Sequence, residues 1–84
     1  MALTWTGFLN QLKPIKRIDF IRKLRNLKFK GPFSGTKHEF IIYNNNRISI
    51  PSNKEYSIPQ VKFIIKEVEI ILERIITDDE WNNL

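Results

Sequence analysis

His38 is the only histidine of this chain, and it closes the run Gly35-Thr36-Lys37-His38 that opens a strand-like segment, Glu39–Tyr43. Imidazole is the side chain whose ordinary pKa lets it give and take a proton near pH 7. The neighbouring Lys37 provides a cation, and Gly35 lets backbone come close to a bound group because no Cβ intervenes. Ser34 and Thr36 add hydroxyls that can donate hydrogen bonds. These types in this order fit cleavage of RNA, which carries its own nucleophile in the 2′-hydroxyl. The protein need only remove that proton, hold the phosphate and stabilise the charge that develops on it. His38 is the candidate base, with Lys37 as electrostatic partner; Lys37, Tyr43 or water would protonate the leaving oxygen. The plain alternative is a strand-end histidine bonded to backbone and doing no chemistry.

Metal chemistry finds little to work with. One histidine and no cysteine leave carboxylates alone, and the acidic residues of the second half show no metal-ligand spacing. They read as a solvated face, so no cofactor or metal is expected.

Charge points to a polyanion. The net charge of +5 conceals two unlike halves. Residues 13–37 carry Lys13, Lys16, Arg17, Arg22, Lys23, Arg25, Lys28, Lys30 and Lys37 against Asp19 alone, while from His38 onward eight acidic residues outnumber five basic ones. A basic half of this kind attracts nucleic acid first and an acidic membrane surface second. No apolar run reaches membrane-spanning length, and residues 1–12 lack the pattern of a signal peptide. The expectation is a small cytoplasmic protein with no membrane partner, its single core leaving room for a shallow groove and not for a buried chamber.

The elements that must position these residues follow from periodicity. Trp5, Phe8, Leu9 and Leu12 have helical spacing, which gives a short N-terminal helical extension over residues 1–12. After Pro14, the stripe of Ile18, Phe20, Ile21, Leu24 and Leu27 predicts a helix from about Lys16 to Leu27. Gly31-Pro32 and Gly35 allow only a short, irregular strand over residues 28–36. His38–Tyr43 and Arg47–Ile50 read as strands joined by a three-residue Asn44–Asn46 turn. That register turns Phe40, Ile42, Ile48 and Ile50 toward the helices, with His38 beyond the end of the same face. Ser57-Ile58-Pro59-Gln60 forms a capping box for a long helix marked by Val61, Ile64, Ile65, Val68, Ile71, Leu72 and Ile75. Thr77-Asp78-Asp79-Glu80 has the same spacing and starts a final turn over residues 77–84. The expected architecture is α+β, with a three-stranded antiparallel sheet packed against two helices.

The segment Lys13-Pro14-Ile15-Lys16-Arg17, running into Phe20-Ile21-Arg22-Lys23-Leu24, resembles the opening of HicA-type toxins (YcfA-like). So does the succession of Phe29, Gly35-x-x-His38 entering a strand, Arg47-Ile48-Ser49-Ile50-Pro51, a polar loop and a long helix. The resemblance covers residues 13–76. It implies a double-stranded-RNA-binding-domain-like fold, in the order α-β-β-β-α. It also implies a metal-independent endoribonuclease that cleaves mRNA and is neutralised by a HicB-type acidic antitoxin. On that reading His38 is catalytic, and Gly35, Thr36, Lys37, Arg17, Arg22, Arg25, Lys28 and Lys30 bind RNA. Apolar residues around Trp5 and Phe8, and around Trp81 and Leu84, are candidate surfaces for a partner or a homodimer. The competing expectation is a non-catalytic RNA-binding module of the same fold, holding duplex RNA through its first helix.

Overall fold

The computed structural model describes residues 12–84. The elements run β1 (Ile15–Lys16), α1 (Arg17–Asn26), β2 (Lys30–Phe33), β3 (Glu39–Tyr43), β4 (Asn46–Ile50), β5 (Glu55–Tyr56), α2 (Ile58–Leu72) and α3 (Asp78–Asn82). β2, β3 and β4 form an antiparallel sheet in that order. β1 and β5 pair separately as a two-stranded ribbon that the sequence did not predict, since two residues per strand show no alternation.

Both long helices obey their sequence signals. In α1, Phe20, Ile21 and Leu24 are buried, and Asp19 in the first turn with Lys23 and Arg25 in the last suits the helix dipole. α2 begins with the predicted capping box, in which Ser57 and Gln60 satisfy each other's backbone N–H, and Pro59 occupies the first turn. Its buried residues Val61, Ile64, Ile65 and Val68 recur every three or four positions. Glu73 then takes a left-handed conformation, φ 58°, and ends the helix. Thr77 caps α3 by accepting from the Glu80 N–H, but the box is half-made. The Glu80 carboxylate instead takes two hydrogen bonds from Arg74, at 2.6 and 2.7 Å.

One core joins the helices to the inner sheet face: Phe20, Leu24, Ile41, Ile48, Ile50, Tyr56, Val61, Ile65, Val68, Ile76 and Trp81 are all buried. Phe20 lies at its centre, its ring centroid 5.3 Å from that of Tyr56 and 5.4 Å from that of Trp81. Edge and tilted contacts of this kind are worth about 0.5–1.5 kcal/mol each beyond the area they bury. Trp81 and Leu84 therefore complete this core and do not form an outward apolar patch.

Several expectations change. Ile18 is 74% exposed, because the stripe of α1 that meets the sheet is centred on Phe20 and Leu24. Ile75 is 61% exposed and Ile76 is buried in its stead, since the left-handed Glu73 redirects the chain before residue 75. The hairpin turn has two residues, Asn44-Asn45, and pairs Tyr43 with Asn46, Ile41 with Ile48 and Glu39 with Ile50. Ile41 thus points inward while Phe40 and Ile42 lie on the opposite face; Ile48 and Ile50 point inward as expected. The predicted helix over residues 1–12 lies outside the described residues except for Leu12, which is non-helical and packs against the core. Among the described residues no helix is long and apolar enough to cross a membrane.

Candidate nucleic-acid interface

The register set by the two-residue turn decides what surrounds His38. Side chains alternate across a strand, so Phe40 and Ile42 of β3 share the outer face with Arg47 and Ser49 of β4. The pairings build two rows across the sheet: Phe33, Phe40 and Ser49 in one, Lys30, Ile42 and Arg47 in the next. No helix among the described residues covers these rows; Phe40 and Ile42 are half-buried, and the other four are exposed.

Residues 34–38 link β2 to β3 at the end of this face. Gly35 approaches the His38 main chain so closely that a Cβ would overlap the His38 carbonyl oxygen and crowd the Phe40 ring at 3.3 Å. Gly31, with φ of 122°, meets the other need for glycine, because few L side chains adopt that conformation. Together they fold the chain so that Gly35, Thr36, Lys37 and His38 line a shallow depression of about 230 Å³ with Phe40, Arg47 and Ser49. Over its floor, the Arg47 guanidinium carbon stands 3.8 Å from the Phe40 ring centroid. Phe33 lies alongside, 5.7 Å centroid to centroid and tilted by 37°.

The four residues of the Gly35–His38 run thus come together, and Lys30 shares their face one row away. The cations of α1 are placed elsewhere. Arg22 and Arg25 line a separate hollow on the helix layer with Ile18, Ile21 and Asn26, sharing no wall with the His38 depression. Arg22 also donates to the Leu84 carbonyl at 2.9 Å and faces Asp19 at 3.8 Å. Lys28 is exposed just past α1, with φ of 82°.

Arg17 is structural in its contacts. Its Nε donates to the Pro51 carbonyl at 2.9 Å, and its guanidinium is paired with Glu39. Partial burial works against its charge, but Glu39 and Tyr56 together, through hydrogen bonding and charge, outweigh that and lift its pKa above the ordinary arginine value.

Phe40, Arg47 and Ser49 also line the depression, although the sequence alone does not group them with His38. Their signal was present, since Arg47-Ile48-Ser49-Ile50 alternates polar with apolar, but Phe40 joins them only once the register is known. Among the described residues no three His, Cys, Asp or Glu side chains gather in the manner of a metal site. No family model matches the chain, and no curated protein or solved structure matches it either.

Proposed function

We propose that this protein is a HicA-like endoribonuclease of the toxin–antitoxin type, cleaving mRNA in the cytoplasm with His38 as general base. The observation that carries this reading is the grouping of the lone imidazole with Lys37, Arg47, Thr36, Ser49 and a close-packed glycine in one open depression. The order α1-β2-β3-β4, followed after the short β5 by α2, with the helices packed against a three-stranded sheet, supports reading the fold as double-stranded-RNA-binding-domain-like.

In the proposed reaction His38 accepts the proton of a 2′-hydroxyl, and that oxygen attacks the adjacent phosphorus. The bond from phosphorus to the 5′-oxygen breaks, leaving a 2′,3′-cyclic phosphate. The departing oxygen takes a proton from water or from Lys37. Lys37 and Arg47 offset the negative charge that grows on the phosphate oxygens, and the Thr36 and Ser49 hydroxyls can donate to them. No metal is assigned a step. A HicB-type acidic antitoxin would mask the basic depression by charge complementarity.

His38→Ala is the direct test. His38 is exposed, so truncation should leave folding intact while the cleavage rate on a synthetic RNA falls by about 10²- to 10⁴-fold. Cleavage by His38→Ala at the wild-type rate overturns the catalytic reading. The second reading, a duplex-binding module without cleavage, draws on the placement of Arg22 and Arg25 away from His38. It would stand if the protein retained duplex RNA with no cleavage at all.

A further inference from the structure

We infer that the outer face of the sheet is a stacking platform for unpaired nucleobases, with Phe33 and the Arg47–Phe40 pair as its planes. The inference rests on the ribonuclease reading for its ligand class and deepens it. A single-stranded substrate, not a duplex, would be laid across the face that leads to His38.

Phe33 is 44% exposed although it is a large apolar ring in a small domain with a core to fill. Its partner Phe40 is covered on one side by the Arg47 guanidinium at 3.8 Å, and Phe33 lies at 5.7 Å. Arg47 and the tilted Phe33 ring thus both lie against Phe40, and an aromatic ring and a guanidinium are the two kinds of surface on which bases stack in single-strand recognition. Bases within a duplex do not present their faces, so only an unpaired base can use such a surface.

Charge fixes the rest of the occupant. Lys30 and Arg47 lie in one row, Lys37 and His38 border the depression, and no carboxylate belongs to either outer row. Glu39 is on the opposite parity of β3 and is paired with Arg17. A polyanion with flat apolar groups matches this surface, whereas an acidic peptide would leave the Phe33 ring without a partner.

The test uses a 2′-O-methyl hexanucleotide, which cannot be cleaved through its 2′-oxygens, beside an abasic sugar-phosphate oligomer of equal length and a duplex of the same sequence. Binding to each is followed by fluorescence anisotropy for wild type, Phe33→Ala and Phe33→Trp, with melting curves for all three. Phe33→Ala should weaken the single strand by between about 5- and 150-fold, the range for losing one stacked base. It should leave the abasic oligomer unchanged, and Phe33→Trp should restore or exceed wild-type binding. Equal affinity of wild type and Phe33→Ala for the hexanucleotide, equal losses for the abasic oligomer, or preference for the duplex would each overturn the platform. Phe33-dependent binding with no cleavage of ordinary RNA would sink the ribonuclease and keep the platform. His38-dependent cleavage indifferent to Phe33 would do the reverse.

Discussion

Gly35 packs against the main chain of His38 so closely that the loop between them has no room for a Cβ. The obstacle to substitution is a backbone oxygen, which cannot swing aside as a side chain would. Gly35→Ala should therefore displace the 35–38 loop and with it the imidazole. A misplacement of about 1 Å can cost on the order of 10² in rate. The loop is exposed and contributes little to the core, so cleavage should fall about 100-fold while the melting temperature moves by only a few degrees. Wild-type cleavage by Gly35→Ala would show that the close approach does not position the site.

Tyr56 supports the same end of the sheet from inside. It is fully buried, and its hydroxyl donates to the Pro51 carbonyl at 2.6 Å, the oxygen that also accepts from Arg17. Tyr56→Phe leaves that carbonyl one donor, so the expected cost is about 1 kcal/mol and not the larger penalty of an orphaned group. Burial raises the Tyr56 phenol above its ordinary value, although Arg17 pulls the other way. The folded state therefore favours the neutral phenol. Its contribution is full below the ordinary tyrosine pKa of about 10 and is lost as pH rises through the higher folded value. Urea denaturation from pH 8 to 11.5 should show a steeper alkaline loss for wild type than for Tyr56→Phe. Parallel curves would remove Tyr56 as the cause.

The helices were legible in the sequence because their signals are redundant. Val61, Ile64, Ile65 and Val68 fix a face, and Ser57 with Gln60 fixes the start. The hairpin was not. Phe40-Ile41-Ile42-Tyr43 has no alternation, so shifting by one residue still puts an apolar side chain inward. The choice fell to the turn, where Asn44 at φ 55° closes a two-residue loop that composition alone does not distinguish from a three-residue one. The site was legible to the same extent: Gly35–His38 is contiguous and could be read directly. Phe40, Arg47 and Ser49 enter through strand pairing, which the wrong register hid. The cations of α1 read as one basic stretch, yet Arg17 turns to Glu39 and Arg22 to Leu84, because a helix distributes neighbours around its circumference.

Arg74 and Glu80 clamp the chain where it passes from α2 to α3, with two hydrogen bonds between side chains that are 48% and 29% exposed. Hydrogen bonding from Arg74 holds the Glu80 carboxyl below its ordinary value, against a smaller opposing effect of burial. The stabilisation is thus present above the ordinary carboxylate range and lost as pH falls through the lower folded value. Arg74→Ala should cost about 0.5–1 kcal/mol at pH 7, as expected of a half-exposed bidentate pair. The difference from wild type should vanish in acid. Chemical denaturation at pH 7, 5, 4 and 3 checks this, and a gap that persists at pH 3 would assign the loss to packing of the arginine stem instead.

Two groups of cations sit on different layers, and salt dependence can tell which one would hold RNA under the proposed function. Each phosphate neutralised by a bound single strand adds about 0.7 to the slope of log affinity against log salt. Lys37 and Arg47 line the His38 depression, whereas Arg22 and Arg25 line the hollow on α1. Lys37→Glu with Arg47→Glu should therefore lower the slope for a short uncleavable single strand by about 1.4, the value for two lost phosphate contacts. Arg22→Glu with Arg25→Glu changes net charge by the same amount but should leave that slope nearly intact. The matched charge is what gives the comparison force, since a general loss of attraction would act on both pairs alike. Should the α1 pair flatten the slope and the sheet pair leave it alone, RNA lies on the helix layer, and the duplex-binding module becomes the better account of this fold.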